Sequence, residues 1–295
     1  MSANFDQRVQ ALPHLGIGVS TEYGAANAQG ALDVEALHQA HPEFGGFLEV
    51  GVEIAKGIDP YTETWCAKGR PTTYHFLDVN LDEPEDLDPQ WLTAVGALID
   101  RLQPAWLCGD AGLWHHGPRE RGHMLLLPPI LSDDAAKEMA EGIVALREAT
   151  GREVLPENPP GHVYVGPLHL LDFFARVCDL ADTGMLLDAA HLAIFQRVGG
   201  HAPTTGLDGF PLHRVVEMHV AGATTVEVDG LSLVEDDHTV DVLPDTWAIV
   251  DHVASAASAL KAVVFECERN PLAATLPGFR RIQRALATAP FGARW

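Results

Sequence analysis

The chain has 295 residues, 47% hydrophobic and 20% charged, a composition that supports a large core in one globular domain. Its 41 acidic and 19 basic residues leave a formal charge of −22, which repels phosphate backbones and anionic lipid and so disfavours nucleic-acid and membrane partners. No apolar run approaches the roughly 20 residues needed to span a bilayer. The opening residues Met1 to Arg8 lack the pattern of a signal peptide. Cys66, Cys108, Cys178 and Cys267 form no CxxC pair and read as thiols in a reducing, cytoplasmic compartment.

In chain order, the first apolar run is a strand at Leu15–Ser20, followed by a helix near Asp33–His41. Gly46–Val52 and Thr72–Val79 read as the second and third strands, with a helix at about Gln90–Leu102. Trp106–Cys108 is a short fourth strand. Ser132 with Asp133 and Asp134 starts a helix that runs to Thr150. Val154–Glu157 is the fifth strand, and a helix near Pro167–Ala181 follows it. Met185–Asp188, Val215–Val220 and Ala262–Glu266 are the sixth to eighth strands. Helices near Pro244–Leu260 and Gly278–Ala287 complete the pattern. Strands alternating with helices predict a single (β/α)8 TIM barrel over residues 1–295, its core at about 15–285. No glycine-rich phosphate fingerprint follows the first strand, which argues against a doubly wound sheet. The irregular pieces at about 56–71, 109–131, 192–213 and 223–243 mostly follow strands, where barrel active sites assemble.

Ionisable residues recur at the ends of these apolar runs. A carboxylate there, such as Glu157, is costly unless it is paired or metal-bound. Asp188 and His191 can share one strand exit. Glu217 and His219 alternate on one strand and point to one face, expected to be the barrel interior. Asp236-Asp237-His238 sits in a loop-like segment after the seventh strand, where a D-x-H pair can chelate one metal. Glu266 ends the last strand, and its bland alternative is an ion pair with Arg269. Together His75, Glu157, Asp188, His191, His219, Asp236, His238 and Glu266 make a mixed imidazole and carboxylate set without thiolate, suited to iron, zinc or manganese. Asp188, His219 and Glu266 are the candidate catalytic residues. His115 and His116 are candidates for the pocket wall or a plain loop.

These motifs, in order, resemble those of the multinuclear non-heme iron-dependent oxidative enzymes (the DUF692 family), which include the methanobactin biosynthesis oxidase. Phe47-Leu48-Glu49-Val50 is similar to that family's F-L-E-V, and His75 lies in its H-G-V-x-L-S-like segment. Leu113-Trp114 resembles the end of its S-E-H-L-A-W, Leu155 to Pro159 its L-x-E-N-P, and Leu186 to His191 its L-L-D-x-x-N/H. Glu217 to Gly222 resembles E-I-H-L-A-G, Asp236 to His238 its D-x-H, and Phe265-Glu266 its I-E-W. The resemblance implies a TIM barrel with two iron ions, or three in the full family centre, where an iron pair activates dioxygen. It implies oxidation of residues, often cysteine, in a ribosomally made precursor peptide, commonly with a partner protein that presents the peptide. It assigns Glu157, Asp188, His219 and Glu266 to one iron, with Glu157 able to bridge, and His191, Asp236 and His238 to a second. The chain departs from the family in two places. Gly51 stands where the family has a histidine, and Gly109-Asp110-Ala111 replaces S-E-H. Both changes bear on the third iron, for which Glu49 and Glu53 are candidate substitutes.

The same ligand types also suit other classes. These are a xylose-isomerase-like sugar isomerase or epimerase using manganese or magnesium, a zinc phosphoesterase, and a metal-storage protein. Bound metal identity separates the first of these from an iron oxidase.

Overall fold

A computed structural model describes residues 3–117 and 121–288, so Met1 and Ser2 of the opening stretch lie outside the described residues. Eight parallel strands close into a barrel with helices around it. In ring order they are β1 (Gly16–Glu22), β2 (Leu48–Val52), β3 (Thr72–Phe76), β4 (Leu107–Asp110), β5 (Val154–Glu157), β6 (Met185–Asp188), β7 (Val215–Val228) and β9 (Ala262–Glu266). The ring closes where β9 pairs with β1, Gly16 opposite Ala262. β8 (Leu231–Thr239) lies outside the ring and pairs antiparallel with the extended end of β7.

The predicted TIM barrel and its eight ring strands are all present. Asp236 to His238, expected in a loop-like segment, lie on β8. The pairing with β7 is irregular here, with His238 at φ +53°: Asp236 and His238 approach each other while Asp237 turns away to accept a hydrogen bond from Thr224 Oγ1. The acidic composition of this strand hid it, because its inward face carries ligand-type residues in place of apolar ones.

Three helices were also not assigned from the sequence: α1 (Phe5–Ala11), α3 (Pro60–Ala67) and α7 (Ala189–Val198). α7 begins directly at the end of β6, with Asp188 as its N-cap, and Ala189 to Gln196 are all buried. A helix buried on all sides has no amphipathic period to read. The remaining helices, α2 (Val34–Ala40), α4 (Pro89–Leu102), α5 (Asp133–Thr150), α6 (Leu170–Ala181), α8 (Pro244–Ala256) and α9 (Leu272–Ala287), fall close to their predicted places.

The barrel has two contrasting ends. At its amino end α1 acts as a plug. Asn4 caps it through the Gln7 N–H, and Phe5 and Val9 pack with Phe47, Trp106, Leu186, Val216 and Val264. At its carboxyl end the strands stop in carboxylates and imidazoles. Between Met185 and Leu186 the register against β7 shifts: Met185 lies opposite Val215 and Leu186 opposite Glu217. This bulge brings Glu217 and His219 onto the inner face. Among the described residues no helix is long and apolar enough to cross a membrane.

Candidate metal centre

Seven of the eight ring strands contribute one side chain each to a common cluster. β2 brings Glu49, β3 His75, β4 Asp110, β5 Glu157, β6 Asp188, β7 His219 and β9 Glu266. His191 comes from the first turn of α7, and Asp236 and His238 from β8. The parallel register aligns Asp110 with Glu157 and Asp188 with His219. All are buried except Asp236 and His238, which are partly exposed.

Glu157 sits at the middle. Its Oε2 lies 2.8 Å from His75 Nε2, and its Oε1 lies 3.2 Å from His219 Nδ1 and 3.6 Å from His191 Nδ1. His219 Nδ1 is also 3.4 Å from Glu266 Oε1 and 3.8 Å from Asp188 Oδ2, while its Nε2 lies 2.9 Å from Glu49 Oε1. On the β8 side, Asp236 Oδ2 lies 2.9 Å from His191 Nε2 and 3.5 Å from His238 Nε2. His238 Nδ1 faces Glu268 Oε1 at 2.9 Å. Asn158 locks the β5 and β6 ends together, donating from its amide to Asp188 O and accepting from Asp188 N–H.

The eight residues expected from the sequence therefore meet at one place. His219 approaches Glu157, Asp188 and Glu266, Asp236 approaches His191 and His238, and His191 also reaches Glu157 and Asp188. His75 is not isolated, because it contacts Glu157. Of its two candidate supports, Glu49 lies in the cluster, whereas Glu53 turns aside to an ion pair with Lys56. Arg269 pairs with Glu22 and Glu268, which leaves Glu266 to the centre. His115 is buried against Asp86 and Gly117 O, away from the centre, and His116 is exposed. Sequence reasoning missed Asp110 and Glu268. Asp110 carries a usable signal: it ends a buried strand, as Glu157 does.

Burial alone would push every carboxylate up and every imidazole down. Burial and the nearby Glu157 raise Asp110 to about 7, and burial with the Glu49 charge raises Glu217 to about 8. Burial pushes Asp188 well up. For His75 burial is outweighed by Glu157 and Glu49, which lift it to about 9. His191, His219 and His238 are likewise held well above the usual imidazole range by the carboxylates around them, against the effect of burial. Glu157 and Asp236 are held low by their histidines despite burial. The raised histidines express the negative charge packed around them, which a cation would relieve.

The hydrogen-bond inventory agrees. Asp110 Oδ1, Glu157 Oε1, Asp188 Oδ2, Asp236 Oδ1, Glu266 Oε2 and both His219 ring nitrogens are buried without a hydrogen-bond partner. Such atoms cost about 1–3 kcal/mol each when left unsatisfied, more when charged. Triads such as Asp188–His219–Glu266 and Glu157–Asp188–His191 place their ligand atoms within 4.8 Å of one another. These residues fit divalent metal ions of the kind bound by mixed nitrogen and oxygen donors.

A cavity of about 240 Å³ opens onto the cluster. Asp110, Glu157, His191, Asp236, His238 and Glu266 line its floor, and Leu77, Trp114, Met124 and Leu126 form an apolar wall. Arg269 is the cation at its edge. Asp188 and His219 lie beneath the floor, fully buried.

The solved structures that resemble this chain share its fold. A xylose isomerase-like TIM barrel protein from Mycobacterium smegmatis, in complex with magnesium, superposes with a TM-score of 0.57 at 12% identity, covering 95% of this chain and 98% of that one. The 3-keto-D-glucoside 4-epimerase of E. coli gives 0.52 at 13% identity, covering 93% and 100%. At such identities the likeness concerns architecture alone. In sequence, a UPF0276 protein of Caulobacter vibrioides is 28% identical over 247 residues, 80% of this chain and 81% of its own length. Another, from Rhizorhabdus wittichii, is 22% identical over 263 residues, 84% and 92% of the two chains. The model of the RiPP precursor modification enzymes MbnB/TglH/ChrH matches residues 31–287, from the start of the first barrel helix to the end of the last. This chain belongs to that family of enzymes, which modify ribosomally made precursor peptides.

Proposed function

We propose that this chain is an iron-dependent oxidase that uses dioxygen to modify cysteine residues of a ribosomally made precursor peptide. One observation carries the reading: buried imidazoles and carboxylates converge at the barrel mouth with their ligand atoms unpartnered, in a member of a peptide-modifying family. Glu157, Asp188, His219 and Glu266 would hold one iron, and His191, Asp236 and His238 a second, with Glu157 placed to bridge. Iron bound there supplies dioxygen activation and an open position for a thiolate.

The chain's own residues account for the surroundings. Asp188 and His219 lie beneath the floor, out of reach of substrate, and so hold and orient. Glu266, Asp236 and His238 border the cavity and meet whatever enters it. The apolar wall of Leu77, Trp114, Met124 and Leu126 excludes water from the side where a peptide side chain would lie. A partner protein would present the peptide at this mouth. The reaction belongs in the cytoplasm, where the peptide is made and its thiols stay reduced.

The test is oxygen consumption by protein purified anaerobically, loaded with ferrous iron and given a Cys-containing candidate precursor peptide, sought among the short reading frames next to its gene. Expected is oxygen uptake with a matching mass change on the peptide. No uptake and an unchanged peptide mass would overturn the proposal. Bound manganese or magnesium with sugar epimerisation would replace it with the isomerase reading.

A further inference from the structure

We infer that Asp110 is a metal ligand in this chain and completes, with His75 and Glu157, a further metal position beside the pair assigned above; the inference rests on that metal reading. The three residues come from consecutive strands β3, β4 and β5. Asp110 aligns directly with Glu157, and His75 aligns with Cys108, two residues before Asp110, so alternation puts all three on one face. One ligand atom from each lies within 4.8 Å of the other two. Gly109 makes the approach possible. Its φ is +153°, and a Cβ there would stand 2.6 Å from Phe76 O.

Asp110 has no structural partner to explain it. The residue is 5% exposed, and its Oδ1 accepts no hydrogen bond. The nearest basic atom, His191 Nδ1, is 3.6 Å away and lies closer to Asn158 O, at 2.9 Å. Among the described residues no lysine or arginine reaches ion-pair distance of it. A buried carboxylate oxygen in that state is costly, and a cation shared with His75 and Glu157 removes the cost. Across the strand pair, Gly51 lies in register with His75 and contributes no ligand. Asp110 supplies a donor from the opposite neighbour of His75. The resulting set has one imidazole and two carboxylates. It is hard and oxygen-rich, suited to ferrous or manganous ions over soft metals.

The experiment counts metal. Wild type, Asp110→Ala, Asp110→Asn, His75→Ala and His219→Ala are loaded anaerobically with Fe(II) or Mn(II), desalted and analysed for metal per folded chain. Thermal melts are run with and without metal. Wild type should hold about three ions, and both Asp110 variants and His75→Ala about one fewer. Metal-free Asp110→Ala should melt no lower than wild type, since an unsatisfied buried carboxylate has gone, yet gain less from added metal. A role in protein hydrogen bonding predicts the reverse: a lower metal-free melt and an unchanged metal count. That outcome overturns the inference while leaving the metal pair standing if His219→Ala loses metal. Wild type that binds no metal overturns both.

Discussion

The two ends of the barrel bury charge in opposite ways. At the amino end Arg8 donates to Glu153 and to Asp182, both side chain and backbone, while Arg147 and Arg214 reach the same loop, so these charged groups are partnered. Asp182 also accepts the Phe5 N–H at the start of α1. At the carboxyl end seven or more buried donor and acceptor atoms have no hydrogen-bond partner. The first pattern is how a fold closes a barrel. The second is how a fold holds ligand atoms ready for something else, at a cost to its own stability.

The comparison breaks most visibly at its floor. His219→Ala or Asp188→Ala should lose iron and activity together, read by metal analysis and oxygen uptake; retained iron with full turnover in either variant would falsify the ligand assignment. At the other end Phe5→Ala empties the plug and should cost about 3–5 kcal/mol in urea unfolding, with metal content unchanged. A loss of metal in that variant would mean that the two ends are coupled. Arg8→Ala should cost less, about 1–3 kcal/mol, because the guanidinium is partly exposed and its ion pairs are partly screened.

The smallest effect is in pH dependence, and its sign differs between the ends. Burial pushes Asp182 up, but the Phe5 N–H and Arg8 hold it below the usual range. A lowered carboxyl contributes stability that is present above its unfolded pKa of about 3.9 and lost as pH falls through the folded value. At the mouth Glu157 and Asp236 are held low by their histidines, but other groups shift upward. Asp110 to about 7, Glu217 to about 8 and His75 to about 9 all bind protons more tightly folded than unfolded. Their contribution is full at low pH and is lost as pH rises through those values. Metal-free protein should therefore lose melting temperature as pH rises from about 4 to 9, between the unfolded and folded values of these groups, and metal-loaded protein should not, since the cation replaces the protons. Equal slopes for the two forms would argue against a cation at the mouth.

Much of the site was legible in the sequence because ligand residues interrupted apolar strands at their ends. Val263-Val264-Phe265-Glu266 and Leu186-Leu187-Asp188 each announce a buried strand and a misplaced charge together. Asp110 was harder to read because Leu107-Cys108-Gly109 is short and ends in glycine, so its strand exit looked like loop. β8 escaped because its inner face bears Asp236 and His238, which erased the alternation by which strands are recognised. α7 escaped for the opposite reason, being apolar on every side.

Local pattern alone determined the alternation of strand and helix, the barrel class and the identity of most ligand-type residues, since hydrophobic period and burial cost act over a few neighbours. Which of those residues share an ion is a matter of register and bulge between strands far apart in the chain. Only tertiary structure could place Glu157 between three histidines, turn Glu53 away while keeping Glu49, and leave Asp110 beside His75. Distances of a few ångströms across the barrel decide those outcomes, and they are set by the closure of the ring.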